Sequence, residues 1–224
     1  MLAILYDIHG NLPALEAVLP ELEDIGADRY LLGGDYGTPS PWPLETLGRL
    51  RALPGATWIR GNGERWLVES PAEHPEVAEA YERFRGRVPP EEVERLYALP
   101  ESAELDDVLY VHGSPLSDLE SFAAEPQPDD ERLLAGVTGR TIVFGHSHLQ
   151  FRRPGPGGTH LINPGSVGMP LDGDRRAAWC LRTAEGEFEF RRTEYDWERA
   201  AAGYRQLGGD FGEFAAGRIE RGSD

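Results

Sequence analysis

Four of the six histidines stand in three short motifs, Asp7-Ile8-His9, His112-Gly113 and His146-Ser147-His148. Asp35 closes the run Gly33-Gly34-Asp35, and Asn62 follows Gly61. Together these offer two carboxylates, one amide carbonyl and four imidazoles, with no thiolate among them. Such a set suits divalent manganese, iron, cobalt, nickel or zinc rather than a soft ion. Taken singly, these residues say little. An Asp at a strand end is ordinarily a turn or cap former, and a His-Gly dipeptide is commonplace. Two histidines one residue apart in a tight turn are more telling, because both rings can converge on one ion. The recurrence of such groups at five places along the chain, each with a glycine at hand, points to a dinuclear metal site. Its candidate ligands are Asp7, His9, Asp35, Asn62, His112, His146 and His148.

The surrounding sequence predicts elements that could hold them. Residues 2–7 (LAILYD) form a short apolar, β-prone run ending in Asp7. A helix follows, with Asn11 as N-cap, Pro13 in its first turn, Leu15, Val18, Leu19 and Leu22 at helical spacing, and Gly26 at its end. Residues 29–35 (RYLLGGD) repeat the strand-then-Asp pattern. A second helix is expected at 44–53 and a third strand at 56–62, giving a β-α-β-α-β order and a parallel α/β arrangement. Ligands bind such sheets beyond the carboxyl ends of the strands, where Asp7, Asp35 and Asn62 lie. Residues 64–100 are rich in Glu and Arg and helical in period, broken by Pro71, Pro75, Pro89 and Pro90, and read as a helical insertion. Strands resume at 107–113, 141–148, 159–166, 177–183 and 188–194. The tail reads as a helix, a break at Gly208–Gly209 and a shorter helix, over about 196–219.

Composition limits the remaining possibilities. The chain has 224 residues, one cysteine and a formal charge of −17. This length fits a single domain with an insertion, and the 40% apolar content is close to what a globular core needs. A lone Cys180 cannot form an internal disulfide and reads as a buried apolar position. No apolar run reaches the roughly 18–20 residues of a membrane span, and the first ten residues lack the basic stretch of a secretory signal. The expected location is the cytoplasm, with no membrane partner. All 22 basic residues are Arg, and the acidic excess argues against a partner held through a nucleic acid backbone.

The series Asp7-Ile8-His9-Gly10-Asn11, Gly33-Gly34-Asp35, Gly61-Asn62, His112-Gly113, Gly145-His146-Ser147-His148 and Asn163-Pro164-Gly165-Ser166-Val167-Gly168 resembles the calcineurin-like metallophosphoesterase superfamily, most closely its small bacterial and archaeal phosphodiesterase branch. The resemblance covers nearly the whole chain. It implies a four-layer α/β/β/α sandwich of two mixed sheets. It also implies that Asp7, His9, Asp35 and His148 hold one metal, and that Asp35 bridges to a second held with Asn62, His112 and His146. Manganese is the ion the resemblance favours. Asn62 as a neutral amide leaves two dications and two carboxylates with a local positive balance, which can receive a phosphate despite the acidic chain. The expected reaction is hydrolysis of a P–O bond in a small phosphorylated substrate, a phosphodiester first among them, by a hydroxide bridging the two ions. Asp35, Asn62 and His112 are then the catalytic candidates and Asn11 and Asn62 the substrate contacts, although Asn11 serves equally well as a helix cap.

One departure stands out. Many members of the superfamily carry a His after the Asn, where it contacts the phosphate and assists the leaving group; here the residue is Gly63. General-acid assistance is worth about 10²–10⁴-fold. Activated or diester substrates are therefore expected to be favoured over alkyl monoesters, and Gly63→His is expected to improve the poor ones. His74 and Arg65, in the insertion, could fill the gap but read as surface residues. Asn163 and Ser166 are expected to shape a loop beside the metals, and His160 to be an ordinary strand residue. The competing readings are a binding or scaffold protein on the same fold, a phosphomonoesterase, and, less attractive on charge, a nuclease.

Overall fold

The computed structural model describes residues 1–37, 39–71 and 75–224. His74 lies outside them. The elements run in the order β1 (Leu2–Leu5), α1 (Leu12–Asp24), β2 (Arg29–Leu32), α2 (Pro43–Arg51), β3 (Thr57–Trp58), α3 (Asn62–Trp66), α4 (Pro75–Phe84), α5 (Pro90–Tyr97), β4 (Ser102–Leu105), β5 (Val108–Val111), α6 (Asp130–Leu133), β6 (Thr141–Val143), β7 (Gln150–Pro154), β8 (His160–Pro164), β9 (Ala177–Arg182), β10 (Phe188–Thr193), α7 (Trp197–Arg205) and α8 (Gly209–Arg221).

The strands form two mixed five-stranded sheets, ordered β10-β9-β1-β2-β3 and β4-β5-β6-β8-β7. In the first sheet β1, β2 and β3 are parallel, and β9 runs antiparallel beside β1, pairing Leu2 with Arg182. In the second, β5, β6 and β8 are parallel, with β4 and β7 antiparallel at its edges. The two-residue period of each strand divides its side chains between two cores. Leu2 and Ile4 of β1 meet Val108, Tyr110, Val143 and Ile162 between the sheets. Ala3 and Leu5 face the other way, onto Leu15, Val18 and Leu22 of α1. Tyr6 continues the inner face, and its buried hydroxyl crosses to the second sheet, donating to the Val143 carbonyl at 3.2 Å. On the outer face of the second sheet, Leu109, Ile142 and Leu161 pack on Leu133, Leu134 and Phe122. The order of layers is α/β/β/α, as expected, but the fourth layer is thin: a four-residue helix and the loop carrying Phe122.

Several boundaries differ from the sequence reading. β4 and β7 were absent from it. Both are edge strands with polar faces, and SAEL and QFRRP carry no clear alternation of apolar residues. The β4–β5 hairpin turns on Asp106 and Asp107, with φ of 50° and 66°, the left-handed pair that a two-residue turn requires. Pro75 and Pro90 each begin a helix within the 64–100 segment, where a missing N–H does no harm. The tail breaks at Gly208–Gly209, but its second helix, α8, is the longer of the two, at 13 residues against 9. His160 is exposed and Cys180 is fully buried.

The thin layer is pinned by a shielded ion pair. Arg153 of β7 reaches the two carboxylate oxygens of Asp130 at 2.9 and 2.8 Å, and its Nε donates to the Ala123 carbonyl at 2.9 Å. Removing one member of such a pair strands the other charge away from water. Asp130→Ala is expected to lower stability by about 3–5 kcal/mol in urea unfolding.

Candidate metal centre

The seven candidate ligands stand just beyond the carboxyl ends of five strands. β1, β2 and β3 of the first sheet deliver Asp7 and His9, Asp35, and Asn62; β5 and β6 of the second deliver His112, and His146 with His148. The crevice is therefore shared between two sheets rather than formed by one. Each chain segment must leave its ladder sharply, and the backbone records it. Among the described residues, eight non-glycine residues have positive φ, and five of them are Asp7 (53°), His9 (49°), Asp35 (55°), His146 (65°) and His148 (59°). Left-handed backbone is unfavourable for side-chain-bearing residues and concentrates where function demands it.

The turns are interlocked. The N–H groups of Asp7, His9 and Gly10 donate to the carbonyls of Gly34, Asp35 and Tyr36 at 3.2, 2.8 and 2.8 Å. The His146 N–H donates to Asp7 Oδ2 at 2.9 Å. The 163–168 loop buttresses them: Ser166 Oγ donates to the Asp7 carbonyl at 2.6 Å, and Asn163 Nδ2 donates to the Gly145 carbonyl at 3.1 Å. Both side chains have the shaping geometry expected of them. Gly34, at φ 97°, lies so close to the next turn that a Cβ would come within 2.6 Å of the Gly61 nitrogen and 2.7 Å of His112 Nδ1.

The side chains gather into two clusters. In the first, His9 Nε2 and His148 Nε2 are 3.0 Å apart, and Asp7 Oδ1 lies 3.9 and 3.5 Å from them. In the second, Asn62 Oδ1 lies 2.9 Å from both His112 Nε2 and His146 Nδ1. Asp35 stands between, with Oδ2 3.8 Å from His9 Nε2 and Oδ1 3.5 Å from His112 Nε2.

The proton inventory of these clusters is peculiar. His148 Nδ1 faces the Met169 carbonyl at 2.7 Å and His112 Nδ1 faces the Gly33 carbonyl at 2.9 Å. A carbonyl can only accept, so each Nδ1 carries the proton, and in the neutral ring Nε2 presents a lone pair. The His112 lone pair then faces Asn62 Oδ1, the His148 lone pair faces His9 Nε2, and Asp7 Oδ1 is buried with no hydrogen-bond donor. Acceptors facing acceptors in a buried site are unfavourable unless a cation lies among them. The residues present thus fit a bound metal, and Asp7 groups with His9 and His148, and with Asp35 and His112, at ligand spacing.

Protonation follows the same crowding. Burial pushes the Asp35 carboxyl up to about 7, with Glu64 and Asp7 adding to it against the pull of His112. Burial also acts to raise Asp7, but His148, His112 and His9 outweigh it and hold the carboxyl well below the usual range. His9 is brought down to about 3 by burial and by His148, and His146 to about 4 by burial and by His112. His112 is raised in spite of burial, because Asp35 and Asp7 favour its cation.

Three sequence expectations need correction or addition. Asn11 is fully buried and both its amide atoms are engaged: Oδ1 accepts from the Ala14 N–H at 3.1 Å and Nδ2 donates to the Gly168 carbonyl at 2.7 Å. It caps α1 and presents nothing to a substrate. Position 63 has no room for a larger residue, since a Cβ there would lie 2.8 Å from Asp35 Oδ1 and 3.2 Å from the Tyr81 hydroxyl. A His at 63 would press on Asp35, which weighs against the expected gain from Gly63→His. Glu64 was given no role from sequence, yet its buried carboxylate accepts from the N–H groups of Asp35, Tyr36 and Gly61 at 2.8, 2.8 and 2.9 Å. The signal was available: an acidic residue three places after Gly61 stands where a helix-capping carboxylate belongs.

Residues 1–186 match the calcineurin-like phosphoesterase superfamily domain. The chain belongs to that superfamily. An uncharacterized protein of Methanocaldococcus jannaschii is 26% identical over 228 residues, spanning 89% of this chain and 90% of the relative. The crystal structure of a metallophosphoesterase from Sphaerobacter thermophilus matches with a TM-score of 0.80 and 26% identity, over 99% of both chains. A hypothetical protein from Pyrococcus horikoshii, at 20% identity over the whole of both chains, shares the fold with a TM-score of 0.83. Two mixed sheets with flanking helices are thus the architecture of this superfamily member and of its structural neighbours. Among the described residues no helix is long and apolar enough to cross a membrane.

Glu64→Ala leaves three buried N–H groups without an acceptor, each worth about 1–3 kcal/mol. Urea unfolding of the metal-free variant is expected to show a loss of at least about 3 kcal/mol.

Proposed function

We propose that this chain is a two-metal phosphoesterase, most suited to phosphodiesters with a good leaving group. The observation that carries the reading is the convergence of ligand atoms: His9 Nε2 and His148 Nε2 beside the unpartnered Asp7 Oδ1, Asn62 Oδ1 beside His112 Nε2 and His146 Nδ1, and Asp35 between the two groups. Asp7, His9, Asp35 and His148 would hold one ion, and Asp35, Asn62, His112 and His146 the other. Manganese is the ion proposed, with iron, zinc, nickel and cobalt compatible with the same donors. A bound pair of dications lowers the pKa of water and attracts phosphoryl oxygens.

The chain's own contribution is arrangement. Gly33 and Met169 fix the tautomers of His112 and His148 through their carbonyls, so that Nε2 faces the site in each. Asp35 turns one oxygen toward each cluster, and the Gly63 N–H holds the Oδ1 side at 2.7 Å. Asn62 contributes an oxygen without a charge, keeping the local balance positive for an anionic substrate. No side chain at 63 can donate to a leaving oxygen, which favours leaving groups that need no proton. We place the substrate among small phosphorylated molecules, and the lone buried Cys180 agrees with a cytoplasmic, reducing setting.

Two experiments test the reading. Bis(4-nitrophenyl) phosphate should be hydrolysed with added Mn²⁺ and not with excess chelator, and faster than alkyl monoesters by about 10²-fold or more. Asp35→Ala should lose both ions and at least about 100-fold in rate; wild-type protein that binds two ions and turns over no ester would support the scaffold reading instead. The second experiment concerns protons. Asp35, near 7, and the raised His112 must give up their protons before either binds a cation. Metal affinity should therefore fall as pH drops through 7. Calorimetry in buffers of different ionisation enthalpy should show release of roughly one to two protons at pH 6 and fewer at pH 8.

A further inference from the structure

We propose that the Arg65–Asp118 ion pair is a positioning clamp for the second ligand cluster, and that it acts by fixing distance rather than by its charge. The inference rests on the two-metal reading above. Asn62 and His112 are 50 residues apart and come from different sheets, yet their ligand atoms lie 2.9 Å apart. Asn62 begins α3, a helix of only five residues that has little surface with which to hold itself in place. The two residues after Gly63 hold it from opposite sides. Glu64 faces inward and binds the turn that carries Asp35. Arg65 faces outward and grips Asp118 with a fork, Nε to Oδ2 at 2.7 Å and Nη2 to Oδ1 at 2.8 Å.

Asp118 is tied in turn to His112. The loop after His112 folds back on itself: Ser114 N–H donates to the Ser117 carbonyl at 2.8 Å, and Ser117 Oγ accepts from the N–H groups of Leu119 and Glu120, each at 3.1 Å. It lies so close to Gly113 that a Cβ there would come within 2.6 Å of the Ser117 oxygen. A displacement of Asp118 therefore moves the residue next to His112. The pair is also well placed to be stiff. Its side chains are only 21% and 23% exposed, and a bidentate guanidinium–carboxylate contact fixes orientation as well as distance. The first cluster has different supports, namely the interlocked turns at 7–10 and 34–36 and the His148–Met169 contact.

Geometry and charge predict opposite signs for one substitution. If Arg65 acted through its field, deleting its positive charge would tighten cation binding nearby. If it acts as a clamp, deleting it loosens the second cluster. Arg65→Lys separates the two again, because lysine keeps the charge and loses the fork.

The test is a calorimetric Mn²⁺ titration of the full-length, metal-stripped protein, with Mn–Mn spin coupling read by electron paramagnetic resonance. Wild type should bind two ions. Arg65→Met and Arg65→Lys should bind the first as wild type does, which also reports an intact fold. They should bind the second about 10–100-fold more weakly, with loss of the coupled signal. A second ion bound as tightly as in wild type, or more tightly, in either variant overturns the clamp. So does loss of both ions in both variants, because the clamp acts on one cluster only. Wild type that binds fewer than two ions overturns the two-metal reading instead.

Discussion

The crowding of seven potential ligand groups into one crevice organises this molecule. Around Asp7 and Asp35, oxygens and imidazole nitrogens approach to between 2.9 and 3.9 Å in a largely buried site, and the rings of His112 and His148, each held through Nδ1 by a carbonyl, turn Nε2 inward. Such an arrangement does not assemble for its own stability. It is maintained by left-handed turns at Asp7, His9, Asp35, His146 and His148, and by the backbone hydrogen bonds that join those turns across the two sheets. Two cores, one between the sheets and one beneath α1, supply the rigidity against which that unfavourable geometry is held.

The candidate centre was largely legible in the sequence, for a physical reason. Residues that bind cations have few chemical types, and strand ends are punctuated by glycine. The Asp-x-His, Gly-Asp, Gly-Asn, His-Gly and His-x-His motifs are therefore visible without coordinates. The continuously apolar strands at 2–5, 108–111 and 177–182 were equally visible, because each is buried on both faces. What escaped were features whose meaning depends on a partner far along the chain. β4 and β7 look polar because each borders a sheet. Glu64 looks like one more acid in a Glu-rich stretch until Asp35, Tyr36 and Gly61 are seen to surround it. Asn11 had two plausible roles in sequence, and only the position of the Gly168 carbonyl decides for the cap.

Position 63 shows how sequence alone can mislead about space. A glycine where many members of the superfamily carry histidine reads as a missing side chain, and hence as a gap to be filled. The structure shows a place already occupied, by Asp35 on one side and by Tyr81 of α4 on the other. The helices between residues 62 and 97 thus do more than cover a sheet end: one of them supplies the atoms that close off this position.

The strand order has a consequence for how the chain is made. β1 occupies the third place in its sheet, between β2, about one helix away in sequence, and β9, whose Arg182 pairs with Leu2. As the polypeptide emerges from the ribosome, β1, β2 and β3 can pair early, but the remaining flank of β1 stays bare until β9, about 170 residues later, has been synthesised. A naked apolar edge is an invitation to pair with another nascent chain. Long-range closure of this kind is also slow, since distant segments must find one another before their contacts contribute.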